Sequence, residues 1–216
     1  MTVMATRALY LDDTYLFETQ ATVLDVRPMD GGTVVILDQT VFHPQGGGQP
    51  ADKGEILGNG KTFPVVKVVK TGSVIEHHIS GPVNFEPNAI VTLRIDGDYR
   101  LLLARIHLAG HLFDWAAFAL GLGDVWTNGT SKHFPDSMYV EKLLPEDTAP
   151  EDIKELLDRV LAKARDMIAA DLPHRTFLIE PDKVPLKCAK MLKGEMCGLE
   201  RVRMTEVVSA ELIGWM

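Results

Sequence analysis

The hydrophobic periodicity of this 216-residue chain changes at Asp96, and that change limits the fold more than any other feature. Before it, residues 21–26, 33–37, 63–69, 74–78 and 89–95 form short runs rich in Val, Ile and Thr. Turn residues break them at Asp30-Gly31-Gly32, Gly58-Asn59-Gly60 and Gly72, with Pro82 and Pro87 later. Such runs read as strands, and short strands with frequent turns close most economically into a small barrel or curled sheet. After Asp96, residues 99–120 carry Leu102, Leu103, Ile106, Ala109, Gly110, Phe113, Ala117 and Leu120 at three-and-four spacing, which predicts a long, largely buried helix. A second helix is announced by Pro150 at its first position, with Glu151 and Asp152 in the first turn where the dipole favours acids. Its apolar stripe is expected to run through Ile153, Leu156, Leu157, Val160, Leu161, Ala164 and Ile168. Further strands are expected at 138–140, 176–179 and 201–213. The fold class is therefore α+β: a small N-terminal β-barrel lobe over residues 1–95, then a helix-plus-antiparallel-sheet lobe over 96–216.

Charge narrows the range of partners. The 22 Lys and Arg face 30 Asp and Glu, a formal charge of −8, which argues against sequence-blind coating of nucleic acid. A local basic surface remains open, because Lys183, Lys187, Lys190, Lys193, Arg201 and Arg203 stand against only Glu195 and Glu200; a solvated charged loop is the plainer reading. The apolar stretches fall short of the roughly 20 residues a membrane-spanning helix needs. The first ten residues lack the apolar core of a secretory signal, so a cytoplasmic place is expected. In a reducing compartment the two cysteines, Cys188 and Cys197, suit thiol or ligand roles better than a disulfide.

Two patterns could carry chemistry. His107 and His111 stand four apart in the first predicted helix, so both rings leave one face and could share a tetrahedral zinc; two helical histidines in a polar groove would look the same. The Glu of a metalloprotease signature is absent beside His107. The second pattern is the segment 37–54, Leu-Asp-Gln-Thr-Val-Phe-His-Pro-Gln-Gly-Gly-Gly-Gln-Pro-Ala-Asp-Lys-Gly. Three consecutive glycines let backbone N–H groups approach a ligand, although a flexible hairpin is an alternative. The segment matches neither a Walker loop nor a dinucleotide fingerprint.

Segment 37–54 closely resembles the glycine-rich motif of alanyl-tRNA synthetase editing domains and AlaX proteins, and residues 105–112, Arg-Ile-His-Leu-Ala-Gly-His-Leu, resemble their histidine motif. Residues 6–16 and the segment Lys132-His133-Phe134-Pro135 also look like AlaX proteins, so the resemblance covers nearly the whole chain. It implies a trans-editing, zinc-dependent, ATP-independent deacylase that hydrolyses serine, with glycine second, from the acceptor end of tRNA(Ala). By the same resemblance His107 and His111 hold Zn2+, Gly46, Gly47 and Gly48 cradle the substrate, and Gln49 supplies a side-chain amide. Thr40 matches the family threonine that senses the serine hydroxyl, and His133 is a further substrate-binding candidate. His43 stands where many relatives carry Tyr. The family completes its metal site with Cys-x-x-x-His, a pattern not found between Met1 and Met216, although residues 201–204 resemble the strand leading to it. Cys197 is the candidate substitute ligand. Two other readings stay open: a metal-free tRNA-binding or regulatory homologue that has lost catalytic ligands, and an editing hydrolase for another mischarged tRNA.

Overall fold

A computed structural model describes residues 5–123, 125–184, 201–207 and 212–215. The chain begins with the short strand β1 (Arg7–Ala8), followed by β2 (Glu18–Met29), β3 (Gly32–Leu37), β4 (Gln39–Thr40), β5 (Gly54–Gly58), β6 (Lys61–Thr71), β7 (Val74–Ser80) and β8 (Ile90–Ile95). Helix α1 (Gly97–Ala119) comes next, then β9 (Thr127–Lys132), β10 (Tyr139–Leu143), helix α2 (Pro150–Ala169), β11 (His174–Ile179), β12 (Val202–Val207) and β13 (Leu212–Trp215). The architecture is α+β, as the change of period predicts. Backbone contacts divide it into two compact units, Met1–Arg105 with His133–Asp136, and Ile106–Lys132 with Ser137–Met216.

The first unit is a closed barrel in the order β2-β3-β7-β6-β5-β8, antiparallel at every junction. Val23, Val35, Leu37, Ile56, Val68, Ile75, Ile79 and Leu93 point inward to almost complete burial, by strict alternation in β7 and β8, and Phe42, Phe85, Leu9 and Tyr10 join them. The β5–β6 hairpin turns through Asn59 and Gly60, both at positive φ (53° and 70°), as a two-residue Asn-Gly loop requires. β1 pairs parallel with β4.

In the second unit β9 and β10 form an antiparallel pair, and β11-β12-β13 a second antiparallel sheet. The single strand expected over 201–213 is in fact two antiparallel strands, β12 and β13, with Val207 opposite Leu212. Asp96 caps α1, its Oδ1 accepting the Tyr99 N–H at 2.9 Å. α2 starts at Pro150 as expected, but its buried face is Val160, Ala164 and Met167, while Leu157, Leu161 and Ile168 are exposed. The stripe read from sequence was too broad: one face of a helix takes Val160, Ala164 and Met167 at spacings of four and three, leaving the flanking leucines outside it. Among the described residues, no helix is long and apolar enough to cross a membrane.

Candidate active site

The glycine-rich segment leaves β4 and returns to β5 through a tightly hydrogen-bonded turn. Gly46 N–H donates to Gln49 O at 3.1 Å and Gln49 N–H to Gly46 O at 2.9 Å. Gly47 and Gly48 between them both have positive φ, 55° and 74°. Two successive left-handed residues inside such a bridge make a type I′ turn, a conformation that two glycines adopt without the Cβ cost other residues meet. The loop is thus a defined turn and not a flexible hairpin. Because the Gly46 N–H is spent within it, the cradle expected of Gly46, Gly47 and Gly48 narrows to two donors: no hydrogen bond from the Gly47 or Gly48 N–H occurs among the described residues.

Several groups hold the turn in place. His133 N–H donates to Gly48 O at 2.8 Å, which brings two of the sequence candidates together; the His133 ring is buried, and burial lowers its pKa. Gln45 N–H reaches Val68 O on β6 at 3.2 Å, and the Gln49 side chain is buried. At the base, Asp52 N–H donates to His43 O at 3.0 Å, and Asp52 Oδ2 accepts from His43 N–H at 2.5 Å. Arg100 closes this base as a fork: Nε donates to Asp52 Oδ1 at 2.9 Å and Nη2 to Asp52 Oδ2. The same guanidinium donates to Val41 O at 2.6 Å and Thr14 O at 3.1 Å. Both Arg100 and Asp52 are buried. Beside them Tyr10 meets the His43 ring edge-on at 5.0 Å, and burial above all pushes its hydroxyl up to about 12.

Thr40 is placed deeper than a substrate contact would suggest, at 0% exposure. Its hydroxyl accepts the Phe42 N–H at 3.0 Å and lies 2.8 Å from His77 Nε2. His77 Nδ1 lies 3.2 Å from Val35 O, and a carbonyl can only accept, so the proton sits on Nδ1 and Nε2 accepts from Thr40. Burial first, aided by neighbouring His78 and opposed by the bond to Val35, holds the His77 pKa down at about 4 against an ordinary 6.5. Between those values the unfolded chain binds a proton that the folded chain refuses, so stability falls as pH drops from 6.5 to 4 and is unaffected by this group above that window. The loss at pH 4 is expected to be about 3 kcal/mol. Urea titrations of wild type and His77→Gln at pH 7 and 4 check this: the wild-type advantage should shrink by that amount, and a constant difference would refute it.

In the second unit, α1 presents His107 and His111 with ring centroids 5.1 Å apart and planes at 19°, and His111 stacks on Trp115 at 6.2 Å. Just beyond them, Asp114 Oδ1 accepts the Trp126 indole N–H at 2.9 Å and pairs with the Lys142 ammonium, which also donates to Asn128 Oδ1. This buried network ties α1 to the β9–β10 hairpin and fixes the helix where it carries the imidazoles. Two near-parallel rings one helical turn apart suit two corners of a tetrahedral zinc. Among the described residues, no third His, Cys, Asp or Glu joins them in a cluster able to hold a metal. Cys188 and Cys197 lie outside the described residues, as does most of the basic stretch at 183–203. Sequence reasoning passed over Asp52, Arg100 and His77, although Asp52 lies inside the glycine-rich segment itself.

Residues 10–99 match the family model for class II (A) tRNA synthetases. The chain is 35% identical over 184 residues to an alanine–tRNA ligase of Caldivirga maquilingensis, covering 84% of this chain and 19% of that protein. It is 30% identical over 220 residues to an alanine–tRNA ligase of Thermococcus kodakarensis, covering 97% and 23% respectively. To the alanyl-tRNA editing protein AlaX-M of Pyrococcus horikoshii it is 35% identical over 157 residues, 73% of this chain and 67% of that one. The chain belongs to the AlaX family of alanyl-tRNA editing homologues. Against the ligases, this AlaX homologue spans only the 19% and 23% of their length just given. The barrel and its glycine turn fall largely within the part matched by the family model, while the AlaX histidine pair lies beyond it.

Proposed function

We propose that this AlaX homologue is an editing deacylase that hydrolyses the ester joining serine, and secondarily glycine, to the terminal ribose of tRNA(Ala), acting in the cytoplasm. The observation that carries this reading is the Gly46–Gln49 turn, hydrogen-bonded at both ends, with no hydrogen bond from the Gly47 or Gly48 N–H among the described residues. Ester hydrolysis turns a carbonyl oxygen into an oxyanion, and two fixed N–H donors stabilise that charge without reorganising. Gln49 orients the substrate by its amide. His133, bonded to the turn through its backbone, lines the same loop. Thr40 already donates to His77 and accepts from Phe42, so one lone pair remains with which it could accept from a serine hydroxyl, and because Thr40 is fully buried that contact requires the barrel wall to part around the substrate.

His107 and His111 are the residues that would hold zinc, with Cys197 as a further ligand, and the chemistry the ion would supply when bound is Lewis acidity. The partner is the acceptor end of tRNA(Ala). The test is deacylation by the purified chain of tRNA(Ala) loaded with serine or with alanine. We expect release of serine and sparing of alanine. Equal release of both, or release of neither, would overturn the reading, and the latter outcome together with tRNA binding would mark a homologue that binds without catalysis.

A further inference from the structure

We infer that Arg100 and Asp52 are positioning residues, a latch that sets the direction in which the Gly47 and Gly48 N–H groups point; the catalytic part of this inference rests on the deacylase reading. A single guanidinium grips both feet of the glycine loop. It reaches Val41 O on the incoming side and both carboxylate oxygens of Asp52 on the outgoing side, with Thr14 O as a third anchor. Asp52 passes the constraint on, since its Oδ2 also takes the His43 N–H and its own N–H returns to His43 O. Between those feet run residues 42–51, where Gln45 N–H to Val68 O and His133 N–H to Gly48 O are the further backbone tethers already described.

Stability alone does not explain the arrangement. A buried ion pair is weak support for stability, because apolar residues of similar size often replace it at no loss. What apolar residues cannot reproduce is a planar fork that fixes four acceptors in space at once. Lysine keeps the charge but has no fork, so it cannot hold Val41 O and both Asp52 oxygens together. Reacting groups displaced by about 1 Å lose roughly 100-fold in rate, and the loop's donors act on the reacting carbonyl. A loosened latch therefore lowers kcat and leaves KM nearly alone, whereas a simple loss of folded protein lowers the apparent enzyme concentration without loosening one loop.

The experiment compares wild type, Arg100→Lys and Asp52→Glu in steady-state deacylation of serine-loaded tRNA(Ala) and in amide hydrogen exchange read by mass spectrometry. We expect kcat to fall about 100-fold with KM within about threefold. We also expect faster exchange confined to residues 43–52, with β3 and β7 as protected as in wild type. Unchanged kcat in a folded variant, a change in KM alone, or exchange raised equally across the barrel overturns the latch. If Arg100→Lys does not fold, Asp52→Glu decides on the same criteria, and failure of both to fold assigns the pair to structure and overturns the inference. Should wild type itself release no serine, the deacylase reading falls by that result alone. Exchange then decides the latch: a rise local to 43–52 supports it, and no rise or a global rise overturns it.

Discussion

A His107→Ala, His111→Ala double variant is expected to lose at least about 1,000-fold in serine release from tRNA(Ala), because several kcal/mol of transition-state stabilisation disappear and each 1.36 kcal/mol is tenfold. Bound zinc, measured by elemental analysis on the purified chain, should fall with it from about one ion per chain to a trace. Each single variant should lose nearly as much as the double, since groups that act as a unit are far from additive. The two rings are only partly buried and sit on a helix secured by the Asp114, Trp126 and Lys142 network, so the variants should stay folded with a thermal midpoint close to wild type. A double variant that keeps its rate within tenfold would remove the histidines from the mechanism, whatever its metal content.

The second large effect is on stability. Arg100→Met leaves Asp52 as a buried carboxylate without its cation and strips Val41 O and Thr14 O of their donor. Breaking such a pair from one side costs about 3–5 kcal/mol, which for a chain of this size lowers the melting temperature by roughly 6–20 °C. Removing the second charge as well, in Arg100→Met with Asp52→Leu, should restore much of the loss, because the cost lies in the stranded charge. Calorimetry on the two single variants and the double closes the cycle. If the single variant melts within about 2 °C of wild type, the pair is solvated and its burial is misjudged.

Much of this architecture is legible in the sequence where one physical rule dominates. The runs within β2, β6, β7 and β8 are visible because the barrel buries one side of each, and β3 because both its faces are buried, so Val and Ile recur with turn residues between. β5 is not visible: it is five residues long, buries only Ile56 fully and begins at Gly54. That glycine is dictated by a neighbour distant in sequence, since a Cβ there would lie 2.2 Å from Arg94 O and 2.9 Å from the Phe42 ring. β9, reading Thr-Asn-Gly-Thr-Ser-Lys, carries no apolar pattern and is defined by pairing with β10.

The site shows the same division. Its glycines and paired histidines stand out because their spacing is local, and the helix period puts the two imidazoles side by side as expected. The turn geometry, the burial of Thr40 and the part played by Arg100 depend on partners far away in sequence: Thr40 answers to His77 and Arg100 to Asp52, 37 and 48 positions off. A faint signal for Arg100 exists, as it precedes His107 by seven residues and so shares its side of α1.

The six-stranded sheet closes on itself, and this has a bearing on how the protein behaves when crowded. Each strand of that sheet pairs with a neighbour on either side, from β2 around to β8 and back, so the ring has no terminal edge strand for a neighbouring copy to extend. Val- and Ile-rich segments that would seed fibrils as loose ribbons are therefore sequestered as soon as the ring is sealed. For these barrel segments the hazardous interval is synthesis, before β8 emerges to meet β2.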